Sequence, residues 1–170
     1  MRWLLLVGSS LLVSCTHRLP EIEEIQEIRE EFQRNLRSYG PKSNNFLNSA
    51  LRLVRAEEAF VRKYPNHREV PRFLLEMAQI EATYFGDVGR AVELLRRVDE
   101  RFRQRSPVAP QALFYEAFLY ETALADTGTA RLRYEAFLRY YPQHELASDA
   151  RRSLEYLGRS PEEILRQFRP

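Results

Sequence analysis

The chain has 170 residues, with 26 Lys+Arg against 24 Asp+Glu and a single cysteine. That length suits one domain of ordinary size. Charges this evenly balanced leave no electrostatic footprint for nucleic acid, and a lone Cys15 excludes an internal disulfide.

Arg2 precedes an apolar run, Trp3 to Val13, interrupted by Gly8-Ser9-Ser10. The run is shorter than the roughly 20 helical residues needed to span a bilayer. It ends in Leu12-Val13-Ser14-Cys15, which resembles the bacterial lipobox. Residues 1–14 therefore read as a lipoprotein signal peptide and residues 15–20 as a tether. The resemblance implies cleavage before Cys15 and lipidation of its thiol and new amino group. Each buried acyl CH₂ contributes about 0.8 kcal/mol, so several chains make a lasting anchor. Thr16 is not the Asp that retains enteric lipoproteins in the inner membrane, and no acidic run follows Cys15. The resemblance thus points to the outer membrane, on its periplasmic face. Without Arg2, 25 Lys+Arg face 24 Asp+Glu.

Glu21 to Tyr39 predicts a helix, with Ile22, Ile25, Ile28, Phe32 and Leu36 on one stripe. Acids crowd its start and Arg34 and Arg37 lie near its end, as the helix dipole favours. It is either a capping helix or a seam of self-association, and capping is favoured because the ends of stacked repeats need covering. Gly40-Pro41 ends it, and residues 42–45 form a loop. Further helices are predicted over 46–64, 70–85, 87–105, 110–125, 127–141, 145–157 and 161–168. The last opens with Ser160-Pro161-Glu162-Glu163, an N-cap serine, a proline at the first helical position and a glutamate three residues after the cap. No strand is predicted.

Within this series the chain repeats itself. Asp87-x-Gly89-x-Ala91 and Asp126-x-Gly128-x-Ala130 lie 39 positions apart, as do Leu95 and Tyr134, Val98 and Phe137, and Phe102 and Tyr141. Leu74 and Ala78 match Leu113 and Ala117 at the same offset. A fixed offset over this many like residues marks stacked supersecondary units. Each unit is helix, turn, helix, with Asp87 and Asp126 suited to N-caps. Ala59-Phe60-Val61-Arg62-Lys63-Tyr64-Pro65 nearly copies Ala136-Phe137-Leu138-Arg139-Tyr140-Tyr141-Pro142, 77 positions on. It belongs to a third, degenerate unit.

Ala117, Ala130, Tyr134, Phe137 and Pro142 follow the order of small, aromatic and closing residues of the tetratricopeptide repeat (TPR), which this segment resembles. The first clear unit departs from it: Arg103 stands where the proline belongs, and the period of 39 exceeds the usual 34 or so. The resemblance is to the looser repeats of outer-membrane TPR lipoproteins of Gram-negative bacteria, including those of envelope assembly and cell-division coordination. It implies an all-α, right-handed TPR-like solenoid of antiparallel helix pairs with a capping C-terminal helix. The helical domain then spans 21–170, with clear repeats at about 70–105 and 109–142, a degenerate unit at about 21–65, and capping helices at 145–168. It also implies a lipid-anchored scaffold that binds an envelope protein or peptide in a groove along the first helices of the repeats. The candidate groove residues are Arg72, Leu75, Gln79, Gln111, Phe114, Phe118 and Glu121. The helix carrying Phe114 and Phe118 has nearly two apolar faces. The second is either buried by the next unit or an exposed anchor site.

No enzyme chemistry is predicted. His67 and His144 both stand in Tyr-Pro-x-His and read as turn residues, and the chain lacks zinc-site spacing and a phosphate-binding glycine loop. Each carboxylate reads as an ordinary exposed-helix residue. The arginines at 96, 97, 101, 103 and 105 read as a solvated face interrupted by Asp99 and Glu100. Neither cofactor nor metal nor catalytic residue is expected, and the partner and oligomeric state are left open. The alternative function is an accessory or small-molecule-binding subunit of an envelope enzyme.

Overall fold

The computed structural model describes residues 19–166. The predicted signal peptide, Cys15, most of the tether and the last four residues lie outside that range. Among the described residues the chain is all-α, without a strand. Its helices are α1 (Pro20–Tyr39), α2 (Asn44–Lys63), α3 (Val70–Ile80), α4 (Val88–Phe102), α5 (Ala109–Thr122), α6 (Thr127–Tyr140), α7 (Ala147–Tyr156) and α8 (Pro161–Arg166). From α1 to α7 each helix packs against its neighbour in sequence, the short connections making successive helices antiparallel.

The local reasons match the predicted ones. The Asp87 carboxylate accepts the Arg90 N–H at 2.8 Å, and Asp126 accepts the Thr129 N–H at 2.9 Å. Each satisfies a helix-terminal donor that has no partner within the helix. Ser160 and Glu163 form a reciprocal capping box, 3.2 and 2.7 Å. The two histidines play one role twice: Nδ1 of His67 accepts the Glu69 N–H, and Nδ1 of His144 accepts the Leu146 N–H, both at 3.2 Å. Their rings meet Phe60 and Phe137 edge-on.

Several helix boundaries differ from expectation. Ser43 caps α2 by accepting the Phe46 N–H, so that helix starts before Phe46. Helix α4 stops at Phe102 rather than Arg105, where the N–H groups of Arg105 and Ser106 turn back to the Phe102 carbonyl. Helix α3 runs into a wide π turn, Glu81–Phe85, closed by Gly86 at φ 71°. The end of α5 repeats this geometry 39 residues later. Leu124 N–H bonds to Leu119 O, Asp126 N–H to Tyr120 O, and Ala125 adopts φ 51° where the earlier unit has glycine.

The expected apolar stripes form the core. Ala91, Leu95, Val98, Ala130, Tyr134 and Phe137 are fully buried, and Phe102 nearly so. One cluster joins α1 through α5, with Phe46, Phe60 and Phe73 among its largest members. A second joins α5, α6 and α7 around Tyr134 and Phe137. Helix α5 belongs to both: Ala109, Ala112 and Leu119 enter the first, and Leu113 and Ala117 the second. That double duty is why α5 is apolar on more than one side.

Candidate partner-binding surface

The expected groove residues come from corresponding faces of α3 and α5. Arg72 and Gln79 lie seven positions apart on α3; Gln111 and Phe118 hold the same places on α5, and all four are exposed. Arg72 pairs with Glu69 at 2.9 Å and lies over the Phe73 ring. Phe118 is 42% exposed, and its ring stacks on that of half-buried Tyr115 with centroids 6.3 Å apart.

The other three predicted residues are placed differently. Leu75 is 7% exposed and belongs to the first core cluster, so it offers nothing to a partner. Phe114 is half-buried and meets Tyr134 and Phe137 edge-on at 5.5 and 5.7 Å. Glu121 accepts the Tyr134 O–H at 2.7 Å; burial raises the Tyr134 pKa above its usual value, and Glu121 adds to the rise. The aromatic pair expected to act as one stripe is therefore split. The second core claims Phe114, and Phe118 remains at the surface.

The charged residues in the interior were not expected. Glu57 and Glu116 are fully buried and Asp99 is 2% exposed, which corrects the reading of every carboxylate as an exposed-helix residue. On α1, the Arg29 guanidinium donates to both oxygens of Glu76 on α3 at 2.8 and 2.9 Å. It also reaches Glu57 Oε1 on α2 at 2.7 Å and Gln26 Oε1 at 2.9 Å. On α6, Arg133 donates to Glu116 Oε1 on α5 at 3.0 and 2.6 Å, and lies 3.8 Å from Asp99 on α4. Arg103 grips Asp99 with two bonds, 2.7 and 2.8 Å, so that arginine too is more than a solvated charge.

The two clusters share a plan. Each joins three consecutive helices through an arginine on an outer one, and in each the carboxylate on the middle helix keeps a buried oxygen without a partner, Glu57 Oε2 and Glu116 Oε2. Burial pushes the Glu57 pKa well above the usual carboxylate range; nearby Glu76 adds to the rise and Arg29 opposes it. Burial likewise raises Glu116, against the pull of Arg133. The sequence carries a trace of both. Glu57 stands 38 positions before Leu95 and 77 before Tyr134, and Glu116 stands 39 after Met77. Each is a glutamate at a repeat position that is otherwise apolar.

Inter-unit loops also form an open cleft of about 500 Å³ with His67, Arg68, Phe102 and Arg105 among its lining residues. Among the described residues, no group of three or more His, Cys, Asp or Glu is placed to hold a metal ion, and no helix is long and apolar enough to cross a membrane. Compared with known families, curated proteins and solved structures, the chain matches no family model, no curated protein and no solved structure.

Proposed function

We propose that the chain is a TPR-like helical scaffold whose exposed α3–α5 face binds a segment of a partner protein. Its particular setting is the cell envelope, where lipid on Cys15 holds it to the periplasmic face of the outer membrane. The right-handed solenoid is part of the same reading. It is supported by the recurrence of caps, π-type helix ends and core positions at a 39-residue offset. The lipid anchor rests on Leu12–Cys15 after the short apolar run.

The observation that carries the binding reading is Phe118. A large aromatic side chain 42% exposed, stacked on Tyr115 and flanked by exposed Gln111 and Thr122, suits an aromatic anchor at an interface. The test places a photo-crosslinking residue at 118 or, as a control, at exposed position 132 on α6, in cells carrying the full-length chain. A defined envelope protein crosslinked from 118 and not from 132, with recovery lost in Phe118→Ala while the melting temperature falls by only about 2–4 °C, is the expected result. Equal crosslinking from both positions would refute the assignment.

A further inference from the structure

A small pocket of about 110 Å³ opens between α2 and α4, lined by Glu58, Val61, Arg62, Met77, Arg90 and Arg97. Val61 and Met77 are core residues, 4% and 1% exposed, so its apolar wall is fixed by packing. Glu58 precedes Arg62 by four residues on α2, and Glu93 precedes Arg97 by four on α4. Glutamate four residues before arginine is the favourable order for a helix ion pair. Neither pair forms. Both carboxylates turn instead to Arg90, which donates to Glu58 at 2.7 Å and to Glu93 at 2.9 Å. Arg62 and half-buried Arg97 are left without a carboxylate partner among the described residues, one from each helix, on the same pocket.

We propose that Arg62 and Arg97 form a site for a single phosphate group. Two guanidinium forks from different helices approach from different directions; the tetrahedral oxygens of a phosphate group can meet both, and its charge of about −1.5 to −2 matches two arginines better than the single charge of a planar carboxylate. The volume supports one acid group and no more, since sites for whole small-molecule ligands span about 300–1,000 Å³. The phosphate reaches the site either as a free anion or on a lipid headgroup. The site is independent of the α3–α5 partner surface, because it uses α2 and α4.

The test follows the Nε–Hε resonances of Arg62 and Arg97 in the ¹⁵N-labelled full-length chain. Sodium phosphate is titrated against sodium chloride at matched ionic strength. Saturable shifts at both arginines are expected, weakened at least tenfold by Arg97→Gln or Arg62→Gln and unaffected by Arg139→Gln on α6. Linear, non-saturating shifts, or shifts that survive both pocket substitutions, would overturn the proposal. With saturable binding in hand, titration with soluble short-chain phosphatidylglycerol, read at the same two resonances, separates the sources whether or not Cys15 carries lipid. Saturation at least tenfold below the phosphate concentration needed, lost in the Arg62→Gln/Arg97→Gln double variant, identifies a headgroup, and saturation no tighter than that of phosphate identifies free phosphate.

Discussion

Replacing Glu57 by Gln should stabilise the protein above neutral pH and remove part of its pH dependence. Around Arg29, one guanidinium faces two carboxylates, Glu57 and Glu76, leaving one negative charge in excess at a fully buried position. The amide of Glu57→Gln keeps the shape and an acceptor oxygen for Arg29 and leaves Arg29–Glu76 as a balanced pair. The folded-state pKa of Glu57 is raised, with desolvation the largest cause. A raised carboxylate binds its proton more tightly in the folded chain than in the unfolded one. Its contribution is fully present below the unfolded value, near 4.5, and is lost as pH rises through the folded value. Each pKa unit corresponds to about 1.4 kcal/mol.

At pH 5, wild type and Glu57→Gln should therefore agree within about 1 kcal/mol, since the protonated acid and the amide are close in shape. At pH 8 the variant should be the more stable of the two, because wild type has by then lost the contribution of the folded-state proton. Arg29→Met acts in the opposite sense. It strands two carboxylates together and should cost about 3–5 kcal/mol at pH 8, partly regained in acid. Urea denaturation followed by far-ultraviolet circular dichroism from pH 5 to pH 8 measures all three. Parallel pH profiles for wild type and Glu57→Gln would refute the reasoning. So would a variant several kcal/mol less stable at pH 8, because Arg29 would then need Glu57 ionised.

Ala125→Gly should raise stability by about 1 kcal/mol, because Ala125 holds φ 51° where the equivalent Gly86 holds 71° without a side chain; a lower melting temperature would show that the penalty is absent. Phe114→Ala should cost about 3 kcal/mol, since that ring contacts Tyr134 and Phe137 in the second core. Phe118→Ala should cost only about 1 kcal/mol, because its burial is partial, and equal losses in denaturant midpoint would contradict this division. Cys15→Ala should block lipidation and leave an unprocessed or mislocalised precursor; a variant that fractionates and migrates like wild type would remove the anchor from the proposal.

The helices and their faces were legible in the sequence because they rest on local rules. Apolar spacing places Leu95, Val98 and Phe102 on one stripe, and short-range bonds from Asp87, Asp126 and Ser160 cap their own helices. The repeat offset also carried the paired roles of His67 and His144. What lay beyond it depends on which helices meet. Phe114 and Phe118 are four residues apart on one helix and chemically identical, yet only Phe114 turns toward Tyr134 and Phe137. Leu75 is buried for the same reason, because packing covers one side of α3 and leaves Arg72 and Gln79 outside. The buried charges are the clearest case. Glutamate can occupy an apolar repeat position only if an arginine arrives from another helix. Arg29 lies 28 residues from Glu57 and 47 from Glu76, and Arg133 lies 17 from Glu116. Helical spacing sets neighbours three and four residues apart; contacts across such separations are decided by the packing of whole helices.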